Sequence, residues 1–240
     1  MEKLVIVGGT ILLTLLANYL FDDKILNGAY KVKNDKARWF LLHAWFNAAV
    51  VVMVLPEALN CLINPLTPSA HDDFREGLTS LVSTAAIGAF HIYHALRYSL
   101  TTEDVIHHSV NAGIVVVLAV LIPWGNMVDL SNLAMCGLPG GIDYAMLYLV
   151  KVGSMDRMTE KRYNRFLNIG IRWPIMYIVS YIMFLRLYYH YYHLSFSFIL
   201  ISVLSLIVHG GNALYYADRV VGNYHVERER EKLQQQNVNI

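Results

Sequence analysis

The chain has 240 residues, of which 56% are hydrophobic and only 15% charged, with a formal net charge of +1. That much apolar surface cannot be hidden in one soluble globule, and it excludes a disordered chain on the same ground. The small net charge gives no general attraction for nucleic acid, and two cysteines, Cys61 and Cys136, are too few for a disulfide framework or a cysteine-built zinc site.

A helix crossing the hydrocarbon core of a bilayer needs about 20 mostly apolar residues. Seven such runs are predicted in chain order, over 4–21, 40–63, 78–100, 105–122, 130–150, 166–187 and 196–217. The breaks between them carry turn and charge signals: Asp22-Asp23-Lys24, Asn64-Pro65 with Pro68, 101–104, Pro123-Trp124-Gly125, 153–165 and 190–195. The first run is longer than a usual signal-peptide core, lacks an Ala-x-Ala site and precedes five basic residues, so it reads as a span. Residues 188–193, four tyrosines and two histidines, read as an interfacial aromatic belt.

Charge tests the count, because Lys and Arg near span ends gather on the cytosolic side. Lys24, Lys31, Lys33, Lys36 and Arg38 follow the first run, and Lys151, Arg157, Lys161, Arg162 and Arg165 follow the fifth. Arg219, Arg228, Arg230 and Lys232 follow the seventh. Seven spans place all three groups on one face, leaving Lys3, Arg75 and Arg186 on the other. The expected fold is therefore all-α, a polytopic membrane protein with seven transmembrane helices, its amino terminus outside the cytosol and its tail inside.

Ionisable groups inside spans are costly and mark bundle interiors and functional sites. His43 and Asn47 lie early in the second run, His91 and His94 late in the third, and His107, His108 and Asn111 open the fourth. Asp143 lies late in the fifth, Arg172 early in the sixth, and His209 and Asn212 late in the seventh. With alternating span direction, all of these fall in the cytosolic half, and the pairs His91/His94, His108/Asn111, His209/Asn212 and His43/Asn47 have same-face spacings. They describe a polar cavity opening toward the cytosol. The plainer alternatives are interhelical hydrogen-bonding groups and, for Arg172 with Asp143, a buried structural ion pair.

The segment Gly88-Ala89-Phe90-His91-Ile92-Tyr93-His94, followed after a short gap by Asp104-Val105-Ile106-His107-His108-Ser109-Val110-Asn111, resembles the central motif of the TLC family, which includes ceramide synthases and TRAM proteins. Pro139 with its small neighbours and Asn212 with Tyr215-Tyr216 match later family elements. The family's Asp is here His94, its Thr is Asn111, and the Glu and Ser before Pro139 are Met135 and Gly137. Asp143-Tyr144 fits the end of the ceramide-synthase His-Asp-x-x-Asp segment, while Pro139 and Gly140 replace its His and first Asp. The chain is thus similar to an outlying member.

The resemblance implies a six-helix TLC-like core around a central cavity over 38–224, preceded by one extra helix and a basic loop over 1–37 and followed by a charged tail over 225–240. It implies a long-chain acyl lipid bound or processed in that cavity, with His107, His108, Asp143 and His94 as catalytic residues. His43, Asn47, His91, Asn111, Arg172, His209 and Asn212 would line the lipid cavity. A histidine there can serve as general base for acyl transfer from a thioester. No resident cofactor and no metal are expected, acyl-CoA being the co-substrate if the chain is an enzyme. The expected partners are a membrane lipid or acyl chain and the bilayer, with no nucleic acid, and a homodimer is an allowed assembly. The expected location is the endoplasmic reticulum or a related endomembrane in a eukaryotic cell.

The opposing class is a non-catalytic lipid sensor or transporter, favoured by the missing acids. A histidine-rich di-iron lipid oxygenase is a third class, although its His-x-x-His-His patterns are absent. A retinal protein is excluded because the seventh run contains no lysine.

Overall fold

The computed structural model describes residues 2–65, 77–121, 124–190, 192 and 195–238. Pro68, Arg75, Pro123, Tyr191 and His193 lie outside the described residues, as do the side chains of Asn111 and His190. Among the described residues there are seven long helices and no strand. They are α1 (Glu2–Ala29), α2 (Asp35–Ile63), α3 (Leu78–Arg97), α4 (Thr102–Leu121), α5 (Met127–Lys151), α6 (Arg157–Tyr189) and α7 (Phe196–Val238).

Six of these are long and apolar enough to cross a membrane, and α3 is the exception. Its average hydropathy is diluted by Ser80, Ser83, Thr84, His91 and His94, all of which are buried against neighbouring helices. Conversely, leucines, valines and aromatic residues along α1, α4, α6 and α7 face outward, as expected where the surroundings are apolar.

Helix ends follow local chemistry. Asn34 caps α2 by accepting from the Ala37 N–H. Asp156 caps α6 through the Thr159 N–H, which holds the Asp156 carboxyl below the usual carboxylate range. The stretch 153–165, expected as a break, is thus mostly helix. Its turn is confined to 152–156, within which Gly153 has a φ of 78° that favours glycine. The tail is helical to Val238, and its start docks on α6 through Arg157 to Glu227 at 2.8 Å.

Prolines shape the interior. Pro139 and Pro174 have no N–H to give the preceding turn, and each follows a short π-helical stretch, Leu133–Gly137 and Asn168–Arg172. There the Leu138 and Trp173 N–H groups reach back five residues, to Leu133 and Asn168.

Helix α2 lies along α5, α3 lies against α1 and α4, and α6 packs on α7. The main core joins Val50, Val54 and Ala58 of α2 to Leu130 and Leu133 of α5 and to Val179, Ile182 and Met183 of α6. The α2–α5 approach is tight at Gly140, where a Cβ would sit 2.9 Å from Asn47 Nδ2.

Two polar clamps close the ends of the bundle. At one end the fully buried Asp22 of α1 pairs with Arg38 Nε of α2 at 2.7 Å and accepts from the Tyr93 hydroxyl of α3 at 2.7 Å. Arg97 Nε approaches the same carboxylate at 3.5 Å. At the other end Arg186, also fully buried, donates to the Trp124 carbonyl at 2.9 Å and to Asn126 Oδ1 at 3.1 Å, and its Nη2 lies 3.8 Å from Cys61 Sγ. Nearby, Ser80 Oγ donates to Asp129 at 2.5 Å. Arg186 is therefore an internal brace rather than an interfacial charge. Cys61 and Cys136 are free thiols at different levels. Cys136 lines a pocket with Asn47, and Cys61 lies roughly 21 Å farther along α2 at 1.5 Å per residue. The two cysteines are not neighbours, because α5 begins at Met127 and carries Cys136 deep into the bundle.

Asp22→Ala will destabilise the protein by about 3 kcal/mol, since it leaves the buried Arg38 guanidinium only the exposed Asp35 as a charge partner. Asp23→Ala, which removes only a pair with exposed Lys24, will cost less than about 0.5 kcal/mol. Denaturant titration in detergent micelles measures both, and equal costs would refute the clamp.

Candidate functional site

The α3–α4 hairpin assembles the histidines. Tyr98 ends α3 in extended backbone, and Thr101 and Asp104 open α4 as a reciprocal cap. Asp104 Oδ2 accepts from the Thr101 N–H and hydroxyl at 2.8 Å each, while the Asp104 N–H donates to Thr101 Oγ1 at 3.2 Å. This short connection faces the last turns of α3 against the first turns of α4. His108 consequently meets His91 through Nδ1–Nδ1 at 2.9 Å and His94 through its Nε2 and the His94 Nδ1 at 2.8 Å. His107 stands edge-on to His91, with ring centroids 5.3 Å apart, and hydrogen-bonds through Nδ1 to the Tyr216 hydroxyl of α7.

Aromatic rings fix this cluster from behind. Trp39 stacks on His94 at 3.7 Å between centroids, Phe46 stacks on Phe90, and His43 stacks on Tyr144 at 3.5 Å. Beneath them lies a cavity of about 60 Å³ whose lining includes His43, Asn47, His91, His107, Cys136 and Arg172. The polar atoms His43 Nδ1, Asn47 Oδ1 and Nδ2 and Arg172 Nε form no hydrogen bond among the described residues. Its size and polar walls suit water or a small polar group, not an acyl chain.

Arg172 reaches this cavity at the end of a ladder running up α6. Lys161 Nζ lies 3.1 Å from the buried carboxylate of Glu160, and Asn164 Nδ2 donates to Glu160 Oε1 at 3.2 Å. Asn168 Nδ2 donates to Asn164 Oδ1 at 2.7 Å, and Arg172 Nη1 donates to Asn168 Oδ1 at 2.8 Å. The guanidinium also lies over the Tyr216 ring at 5.7 Å.

A second space opens between α4 and α7. The two helices meet through His107 with Tyr216 and through Glu103 with Arg219 at 3.1 Å. Around these contacts runs a groove of about 390 Å³, walled largely by Ile106, Val110, Val208, Gly211 and Tyr215, with His107 and Asn212 in its side. Ile106, Leu214 and Tyr215 are more than half exposed, so the groove lies on the outer surface of the bundle.

The structure brings His91, His94, His107 and His108 together, places His43, Asn47 and Arg172 on the small cavity, and puts Asn212 in the groove beside His107. It does not bring His209 to them. That ring bonds Ser131 Oγ and the Ser205 carbonyl, each at 2.8 Å, beside a separate cavity of about 40 Å³. Asp143 lines none of these three spaces, and its Oδ1 is buried with no hydrogen bond among the described residues. Among the described residues, Asp143 and Arg172 form no ion pair, because the Asn168 amide and the Tyr216 ring hold the guanidinium instead. Sequence reasoning missed the Glu160–Asn164–Asn168 ladder, although its i, i+4 spacing into Arg172 was a readable signal. Trp39 as the platform for His94 had no such signal. No family model, no curated protein and no solved structure matches this chain.

Proposed function

We propose that this chain is a TLC-like integral membrane protein with seven spans that holds a long-chain acyl lipid in the groove between α4 and α7 and presents its reactive end to His107. The observation that carries the reading is the apolar groove with an imidazole in its wall. Its volume falls in the range of small-molecule sites, and its outward position lets a chain enter sideways from a bilayer. Polar Glu103 and Arg219 at one end suit a headgroup. The α3 span is supported by the inward placement of its polar side chains, which keeps its lipid-facing share apolar.

In the acyl-transfer form of this reading, His107 Nδ1–H donates to the Tyr216 oxygen, which leaves the lone pair on Nε2. As the nucleophile's oxygen or nitrogen bonds to the acyl carbon of acyl-CoA, its proton passes to Nε2 and the carbon–sulfur bond breaks. The proton then goes to the departing thiolate. The non-catalytic reading, a lipid sensor or transporter, is favoured by one observation: Asp143, the acid expected beside the histidines, lines neither the groove nor the polar cavity. A side chain at position 140, where the resemblance expects an acid, would collide with Asn47.

Cysteines introduced as Lys33→Cys or Lys161→Cys will react with an impermeant maleimide only from the cytosolic face, and labelling from the opposite face would overturn the seven-span topology. Mass spectrometry of the purified protein will find an acyl lipid. A covalently held acyl group supports transfer, and an exchangeable intact lipid supports binding. Val110→Trp, which fills the groove, will lower the retained lipid under either form, whereas His107→Ala will lower transfer by about 100-fold or more only if the chain is an enzyme. Unchanged lipid retention in Val110→Trp would sink the groove assignment.

A further inference from the structure

His108 has imidazole nitrogens facing both of its own, and a neutral ring can donate from only one. If Nδ1–H donates to His91, then Nε2 turns a lone pair toward His94 Nδ1, and Asp104 supplies a carboxylate oxygen beside them. The three ligand atoms of His94, Asp104 and His108 lie within 4.8 Å of one another. A His94 Nδ1–H can donate to that His108 lone pair, and in the other His94 tautomer two nitrogen lone pairs and a carboxylate face one point, an electron-rich pocket that a cation stabilises.

Each member is also held by a partner of its own. His91 fixes the His108 ring through Nδ1, Trp39 stacks on His94, and the Thr101 N–H and hydroxyl both bind Asp104 Oδ2. Outer contacts of this kind orient ligand side chains and set the tautomer of a ligating imidazole. Asp104 and His108 are spaced i, i+4 on one face of α4, and His94 approaches from α3, which is how helices present a metal site. Two nitrogens with one carboxylate suit a borderline divalent transition ion and not calcium or magnesium, which take oxygen ligands.

We propose that His94, Asp104 and His108 form a binding site for a divalent transition-metal ion such as zinc, with His91 as the positioning residue for His108. The inference goes beyond the lipid reading and does not depend on it, since none of the three ligands lines the α4–α7 groove.

The test is a titration of the full chain in detergent, stripped with chelator, using cobalt(II) as the optical probe and zinc(II) as competitor. The expected result is a saturable visible d–d spectrum at one equivalent of cobalt, abolished by zinc. Thermal stability should rise with zinc concentration. His94→Ala and His108→Ala will each weaken binding by about 100-fold or more, while His107→Ala will leave it within a few-fold of the wild type. Asp104→Asn keeps an acceptor for the Thr101 cap but loses the charge, and it will weaken binding by about 10-fold without unfolding the hairpin. No saturable cobalt spectrum in the wild type, or binding that survives both Asp104→Asn and His108→Ala, would overturn the site. Loss of lipid retention in Val110→Trp leaves this titration unchanged, so failure of one proposal is distinguishable from failure of the other.

Discussion

Everything at the histidine end of the molecule hangs from the buried carboxylate of Asp22. It draws the end of α1, the start of α2 and the last turn of α3 to one point through Arg38, Tyr93 and Arg97. A charge so deeply placed is tolerable only while all its partners stay, so the three helix ends are fixed together or not at all. Tyr93 lies between His91 and His94 in the chain, and anchoring it sets the rotation of α3 about its own axis. That rotation points both imidazoles toward α4 and the Trp39 platform rather than outward. The clamp is thus coupled to the site through a single helical turn.

Two spaces of opposite character flank His107. On one side is a small polar cavity with amide, imidazole and guanidinium walls, and on the other a larger apolar groove. The ring is a partition between a compartment with polar groups in its walls and an apolar one. Tyr216 extends that partition, because its hydroxyl holds His107 while its ring faces Arg172. Chemistry at such a boundary can take protons from one side and apolar substrate from the other without mixing them.

The helices were legible because long apolar runs can hardly be anything else, and the in-span histidines were legible because polarity in lipid has to be explained. What the sequence hid were matters of partnership. Arg172 and Asp143 invited pairing by charge alone, yet the π-helical stretch before Pro174 turns Arg172 toward Asn168 and Tyr216. Asp22 read as part of a solvated Asp-Asp-Lys break, since nothing local says that Arg38 and Tyr93 fold over it. His209 shares the depth of the histidine cluster but faces α5, where Ser131 takes it. Depth is written in one dimension along the chain, whereas the facing of a helix is decided by neighbours distant in sequence.

The ladder from Glu160 to Arg172 also has an electrical meaning. Its ends are three i, i+4 steps apart, roughly 18 Å along the helix, with the Glu160 carboxylate, itself paired with Lys161, near the α6 amino terminus and the half-buried guanidinium beside the cavity. In the proposed orientation, an anion drawn from the cytosol to Arg172 travels through part of the membrane field. A full crossing is worth about 2.3 kcal/mol per unit charge at 100 mV, and a membrane negative on its cytosolic side drives the anion away from the cytosol toward Arg172. Occupancy of the polar cavity by a charged species would then follow the voltage across the bilayer as well as its concentration in solution.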